Sequence, residues 1–95
     1  MILDIKTEEL EEVDVLTDGD SIYTIVLYND EYNTFDHVID CLVKYCKHTA
    51  EQAEQCSLIV HYKGKCAVKS GGEKVLTPVC NALCRKGLSA SIEEA

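Results

Sequence analysis

Two patterned runs separated by a short polar loop constrain this chain most. The stretch Ile22-Tyr23-Thr24-Ile25-Val26-Leu27 is β-branched and aromatic with no helical period, and it reads as a strand from Ser21 to Tyr28. A few residues on, Phe35, Val38, Ile39, Leu42, Val43 and Cys46 recur at three and four, one apolar stripe on a helix of about twelve residues. Asp36 and Lys44 stand at the helix ends that suit its dipole. The loop between has both ends fixed by regular structure, and such loops are where binding groups usually sit.

Thr49-Ala50-Glu51-Gln52 matches a capping box and opens a second helix, with Ala53, Cys56, Ile59 and Val60 as its stripe and Gly64 at the left-handed stop. Lys65 to Lys69 alternates as a short strand, which Ser70-Gly71-Gly72 breaks. A third stripe, Val75, Leu76, Val79, Cys80, Leu83 and Cys84, ends at Arg85-Lys86-Gly87. Pro78 either lies in the opening turn of a helix capped by Thr77 or kinks a longer helix begun near Glu73. Leu88 to Ile92 alternates and makes a last strand. The order βααβαβ implies an α+β fold: a two-layer domain, a three-stranded sheet with three helices on one face. Which strands neighbour which does not follow from the pattern.

Ninety-five residues allow one domain. The net charge of −8 is uneven: eight acids from Asp4 to Asp20 face only Lys6. The chain therefore divides into an acidic flexible extension, 1–21, and a folded domain, 22–95. The extension is either a solvated tail or a contact arm whose Leu10, Val13 and Val15 dock on a partner. Its charge repels nucleic acid, and no apolar run is long enough for a membrane helix. No basic-apolar leader opens the chain, so a cytoplasmic location is expected, where six cysteines read as reduced thiols packed as small hydrophobes. Cys46, His48 and His61 could ligate zinc, but no zinc spacing occurs; no metal or cofactor is expected. Phosphate loops, nucleophile elbows and dinucleotide fingerprints are missing, which argues against an enzyme.

Within the first loop, Asn29, Asp30 and Glu31 supply acceptors and negative charge, while Phe35 and Val38 offer apolar surface a turn later. Such a rim beside such a wall suits a ligand with a positive head and a hydrophobic body. The same residues also read as plain turn chemistry, with Asn33 or Thr34 as a helix cap. His61, near the end of the second helix, reads as a cap, a packed side chain or a functional imidazole.

At Asn29-Asp30-Glu31-Tyr32-Asn33-Thr34-Phe35 and again at Val60-His61-Tyr62-Lys63-Gly64-Lys65, the sequence resembles the ClpS adaptor family of bacteria, from about Tyr23 to Ile92. The resemblance implies the same strand and helix order. It also implies an adaptor that binds proteins whose first residue is a large hydrophobe (the N-degron) and delivers them to a Clp AAA+ unfoldase, ClpA- or ClpC-type, with ClpP. By position, Asn29 and His61 would hydrogen-bond the substrate's α-ammonium, with Asp30 and Glu31 close to the first residues of the peptide and Asn33 at the rim, where the family often has threonine. Val38, Val60 and Leu88 would line the pocket for the first side chain. Phe35 takes the place of a gating methionine, and Ser57 that of a wall methionine. The third helix region is several residues shorter than in better-known members. The competing reading is a protein interaction domain without amino-terminal recognition, similar in architecture to the C-terminal domain of the ribosomal stalk protein.

Overall fold

The computed structural model describes residues 21–95 and begins with a strand, β1 (Tyr23–Tyr28), that buries Ile25, Val26 and Leu27 in succession. The expected extension lies outside the described residues except for Ser21. Side chains alternate across a strand, so three consecutive buried residues need cover on both faces. Ile25 and Leu27 enter the core shared with the helices, and Val26 faces the other way. On that outer face Tyr28 donates a hydrogen bond to Glu93, spanning two strands. The bond to Glu93 holds the Tyr28 phenol above its ordinary range, and the same bond holds Glu93 below its own.

β1 is the central strand. Antiparallel partners flank it, β2 (Lys65–Gly71) on one side and β3 (Ser89–Glu94) on the other, in the order β2-β1-β3. The expected break at Ser70-Gly71-Gly72 falls later, because Ser70 and Gly71 still pair with Thr24 and Tyr23. Only Gly72 leaves the strand, and its carbonyl accepts from Val75 and Leu76 as the next helix begins. The β1–β2 register slips between Ile25 and Val26, which leaves Val68 as the extra residue of a bulge. His48 meets the Val68 carbonyl at 2.6 Å.

The first helix, α1 (Phe35–Cys46), starts at Thr34, whose hydroxyl accepts from the His37 N–H at 3.1 Å. It buries Cys41, Leu42 and Cys46, while Phe35 and Val43, members of the expected stripe, remain exposed. The second, α2 (Ala50–Lys63), has the capping box of Thr49 and Gln52 and stops at Gly64 with φ of 93°. Its buried face is Ala53, Ser57 and Val60; Cys56 is half-buried and Ile59 exposed, so the inward line is turned from the apolar stripe toward a serine. The third, α3 (Glu73–Arg85), is the longer of the two alternatives and contains Pro78. Thr77 is not a cap: its hydroxyl donates to the Glu73 carbonyl at 2.7 Å, one turn back. Of the six thiols, Cys84 departs from the expected buried role, lying exposed with its Sγ donating to the Ala90 carbonyl at 3.3 Å. No helix among the described residues is long and apolar enough to cross a membrane.

Candidate functional site

The end of β1 and the end of α2 are joined directly. The Asn29 N–H donates to the Gly64 carbonyl at 2.9 Å, so the loop after β1 starts against the residue that terminates α2. His61 lies three residues before that stop, on the last turn of the helix. This bond continues the β1–β2 ladder, whose last pair is Tyr28 with Lys65, and together they join two segments more than thirty positions apart.

Asp30 organises the loop from within. One carboxylate oxygen accepts from the N–H groups of Tyr32 and Asn33, each at 2.9 Å, and the other from Asn33 Nδ2 at 2.8 Å and the Ser89 hydroxyl at 3.4 Å. Partial burial pushes this carboxyl upward, but those four donors together outweigh it and hold Asp30 below its ordinary range. The turn reading of Asp30 and the cap reading of Thr34 are therefore both realised. Asn33 does more than sit at a rim. Its Nδ2 also donates to the Gly87 carbonyl at 2.9 Å, which fastens the loop to the α3–β3 turn just before Leu88. His37 grips the neighbouring Lys86 carbonyl at 2.9 Å, a contact that no sequence pattern indicated. Glu31 and Tyr32 remain exposed at the loop tip, Tyr32 by 92%.

Above this frame opens a cavity of about 650 Å³ lined by Asn29, Asp30, Glu31, Asn33, Phe35, Val38, Ser57, Leu58, Val60, His61 and Tyr62. Its volume lies in the range that small ligands occupy. Nine of the ten residues expected at the site are on its wall. The tenth, Leu88, lines a separate hollow of about 20 Å³ with Leu27, Val38 and Val60, enough for a water but not for a side chain. Leu58 and Tyr62 are wall residues that the sequence reading did not assign; Tyr62 packs edge-on against His61 with ring centres 4.9 Å apart. The polar groups come from the loop and the helix end, and Phe35, Val38, Leu58 and Val60 supply the apolar surface.

Elsewhere, a cavity of similar volume lies between the start of α2 and β2, lined mainly by polar side chains such as Thr49, Glu51, Gln52, Glu54 and Gln55, with none of the expected site residues. Cys46, His48 and His61 do not assemble into a metal site, and no group of three potential ligands does so among the described residues.

A three-stranded antiparallel sheet carrying three helices on one face, with a mixed polar and apolar cavity where the first strand meets the second helix, defines a small α+β domain with a cleft at that junction. The family profile described as "ATP-dependent Clp protease adaptor protein ClpS" matches residues 18–91, and the chain belongs to that family. Among curated relatives, the ClpS adapter of Thermosynechococcus vestitus is 35% identical over 68 residues, 70% of this chain and 72% of the relative. That of a Nostoc species is 36% identical over 74 residues, 77% and 76% of the two chains. Among solved structures, Agrobacterium tumefaciens ClpS2 bound to L-phenylalaninamide superposes with a TM-score of 0.69 at 16% identity, covering 79% of this chain and 98% of that one. The structural likeness concerns the fold. The chain is thus an adaptor of the Clp protease.

Proposed function

We propose that this adaptor captures proteins by a free amino terminus followed by a large hydrophobic first side chain, and hands them to a Clp AAA+ unfoldase working with ClpP. The observation that carries the reading is the shared cavity: Asn29 and His61 stand on one wall system with Phe35, Val38 and Val60, acceptors for a cation beside surface for an apolar group. The family neighbour bound to L-phenylalaninamide supports it, since that ligand has a free ammonium and an aromatic side chain.

The energetics fit a recognition domain. Burying an aromatic or leucine side chain contributes roughly 1.5–3 kcal/mol, and each hydrogen bond to a charged group roughly 1.5–3 kcal/mol. Three such bonds with one buried side chain exceed the association cost of several kcal/mol by a modest margin. An acetylated amine keeps the side chain but loses the charge and two donors. Asp30, whose oxygens are engaged by the loop, adds negative potential and holds the geometry; Glu31, exposed, faces the peptide beyond its first residue.

Delivery is tested with a stable fluorescent protein beginning with Phe and its counterpart beginning with Gly, incubated with ClpP and a ClpA- or ClpC-type unfoldase. The adaptor accelerates degradation of the Phe-initiated substrate alone. Equal degradation of both, with or without the adaptor, would overturn the proposal.

A further inference from the structure

The wall of the cavity contains one group that its apolar surroundings do not account for. Ser57 is 3% exposed, and its hydroxyl, shut off from solvent, has no hydrogen-bond partner among the described residues. Buried hydroxyls nearly always have a partner, and a helical serine readily finds one by bonding the carbonyl one turn back. Ser57 does not take that bond to Ala53. The residue nonetheless belongs to the cavity lining, with Phe35, Val38, Leu58 and Val60.

Ser57 and His61 both line this cavity and lie four residues apart on α2, about 6 Å along the helix axis. A ligand whose ammonium sits at His61 and whose side chain runs back along α2 brings its far end to the level of Ser57. We infer that Ser57 is a specificity-determining residue that selects polypeptides whose first side chain carries a hydrogen-bonding tip, tyrosine above phenylalanine. This rests on the amino-terminal recognition proposed above and names the substrate within it.

The chemistry is a matter of matching. A phenol entering a purely apolar pocket loses its bonds to water and binds less well than a phenyl ring. A serine hydroxyl is donor and acceptor, as is a phenol, so once rotation about χ1 turns it from its sealed position into the cavity the two satisfy each other in either sense. Pairing them removes the unmet group of the free protein and the unmet group of the ligand together. Phenylalanine can do neither, and Ser57 stays unpartnered when it binds.

The test uses two peptides differing only in their first residue, Tyr or Phe, titrated into the full chain and into Ser57→Ala. A net neutral hydrogen bond corresponds to a preference of about three- to tenfold for the Tyr peptide. In Ser57→Ala the preference disappears or reverses, because the Tyr peptide loses more affinity than the Phe peptide. Because the substitution removes an unsatisfied group from a helix, the variant folds, and a thermal melt matching the wild type establishes this. A ratio unchanged by Ser57→Ala, or both affinities lowered equally, overturns the inference and leaves amino-terminal recognition standing. Failure of either peptide to bind the wild type overturns both.

Discussion

Asn29 and Gly64 are joined backbone to backbone, N–H to carbonyl at 2.9 Å, and this bond aligns the loop after β1 with the end of α2. Gly64 adopts φ of 93°, where an L side chain is strained even though nothing lies within 4 Å of an added Cβ. Gly64→Ala is therefore expected to destabilise the domain by about 1–2 kcal/mol through the backbone alone. Urea denaturation measures the loss. An unchanged midpoint would mean that the turn relaxes without strain.

Asp30 gives the domain an acid-sensitive element. Its carboxyl is held below its ordinary value of 3.8 in the folded state. A group lowered by folding stabilises above its unfolded pKa, and that contribution is lost as the pH falls through the folded value. Wild-type stability should thus decline below about pH 4, and Asp30→Asn, which cannot titrate, should decline less steeply over the same interval while being weaker at pH 7. Unfolding curves between pH 3 and pH 7 decide it; parallel curves would remove Asp30 from the account.

The thiols should react in an order set by exposure and environment. Burial pushes the Cys46 thiol up to about 11, and burial with the adjacent Cys66 thiol pushes Cys56 up to about 12. Such thiols are almost wholly protonated near neutrality and react slowly, because the thiolate is the nucleophile. Exposed Cys84 is expected to be labelled first by an aromatic disulfide reagent at pH 8, with Cys46 and Cys56 modified only on unfolding. Peptide mapping of the time course checks the order.

Much of this architecture is local and was legible. The capping box at Thr49 and Gln52, the Gly64 stop and the first helix's span are written in neighbouring residues, and the structure has each of them. What escaped the sequence reading is long-range. The order β2-β1-β3 depends on pairings between distant residues, and the extension of β2 through Gly71 depends on Tyr23 as its partner. The inward face of α2 departs from the apolar stripe at exposed Ile59 and takes in Ser57, because an apolar pattern cannot point to a buried serine. Ser57 is indicated only by its position in the wider resemblance to the family, outside both motifs. Polar ties such as Asn33 to Gly87 and His37 to Lys86 have no periodic signature, since each joins a side chain to a backbone carbonyl about fifty residues on.

Asn29 and His61 should act together on the ligand. Each alanine substitution removes a hydrogen bond to a charged group, so each is expected to weaken binding of a Phe-initiated peptide about ten- to a hundredfold with little effect on stability. Both side chains are exposed, which keeps the stability effect small. Calorimetric titration of the two variants checks this. Full affinity in either would take that residue out of the ammonium site.

The most direct measurement compares the affinity of the full chain for a Phe-initiated peptide with that for its N-acetylated twin. The two share every side chain and differ in one charge and two donors. The account predicts that acetylation lowers affinity by a hundredfold or more, about two charged hydrogen bonds. Equal affinity for the two peptides would contradict it.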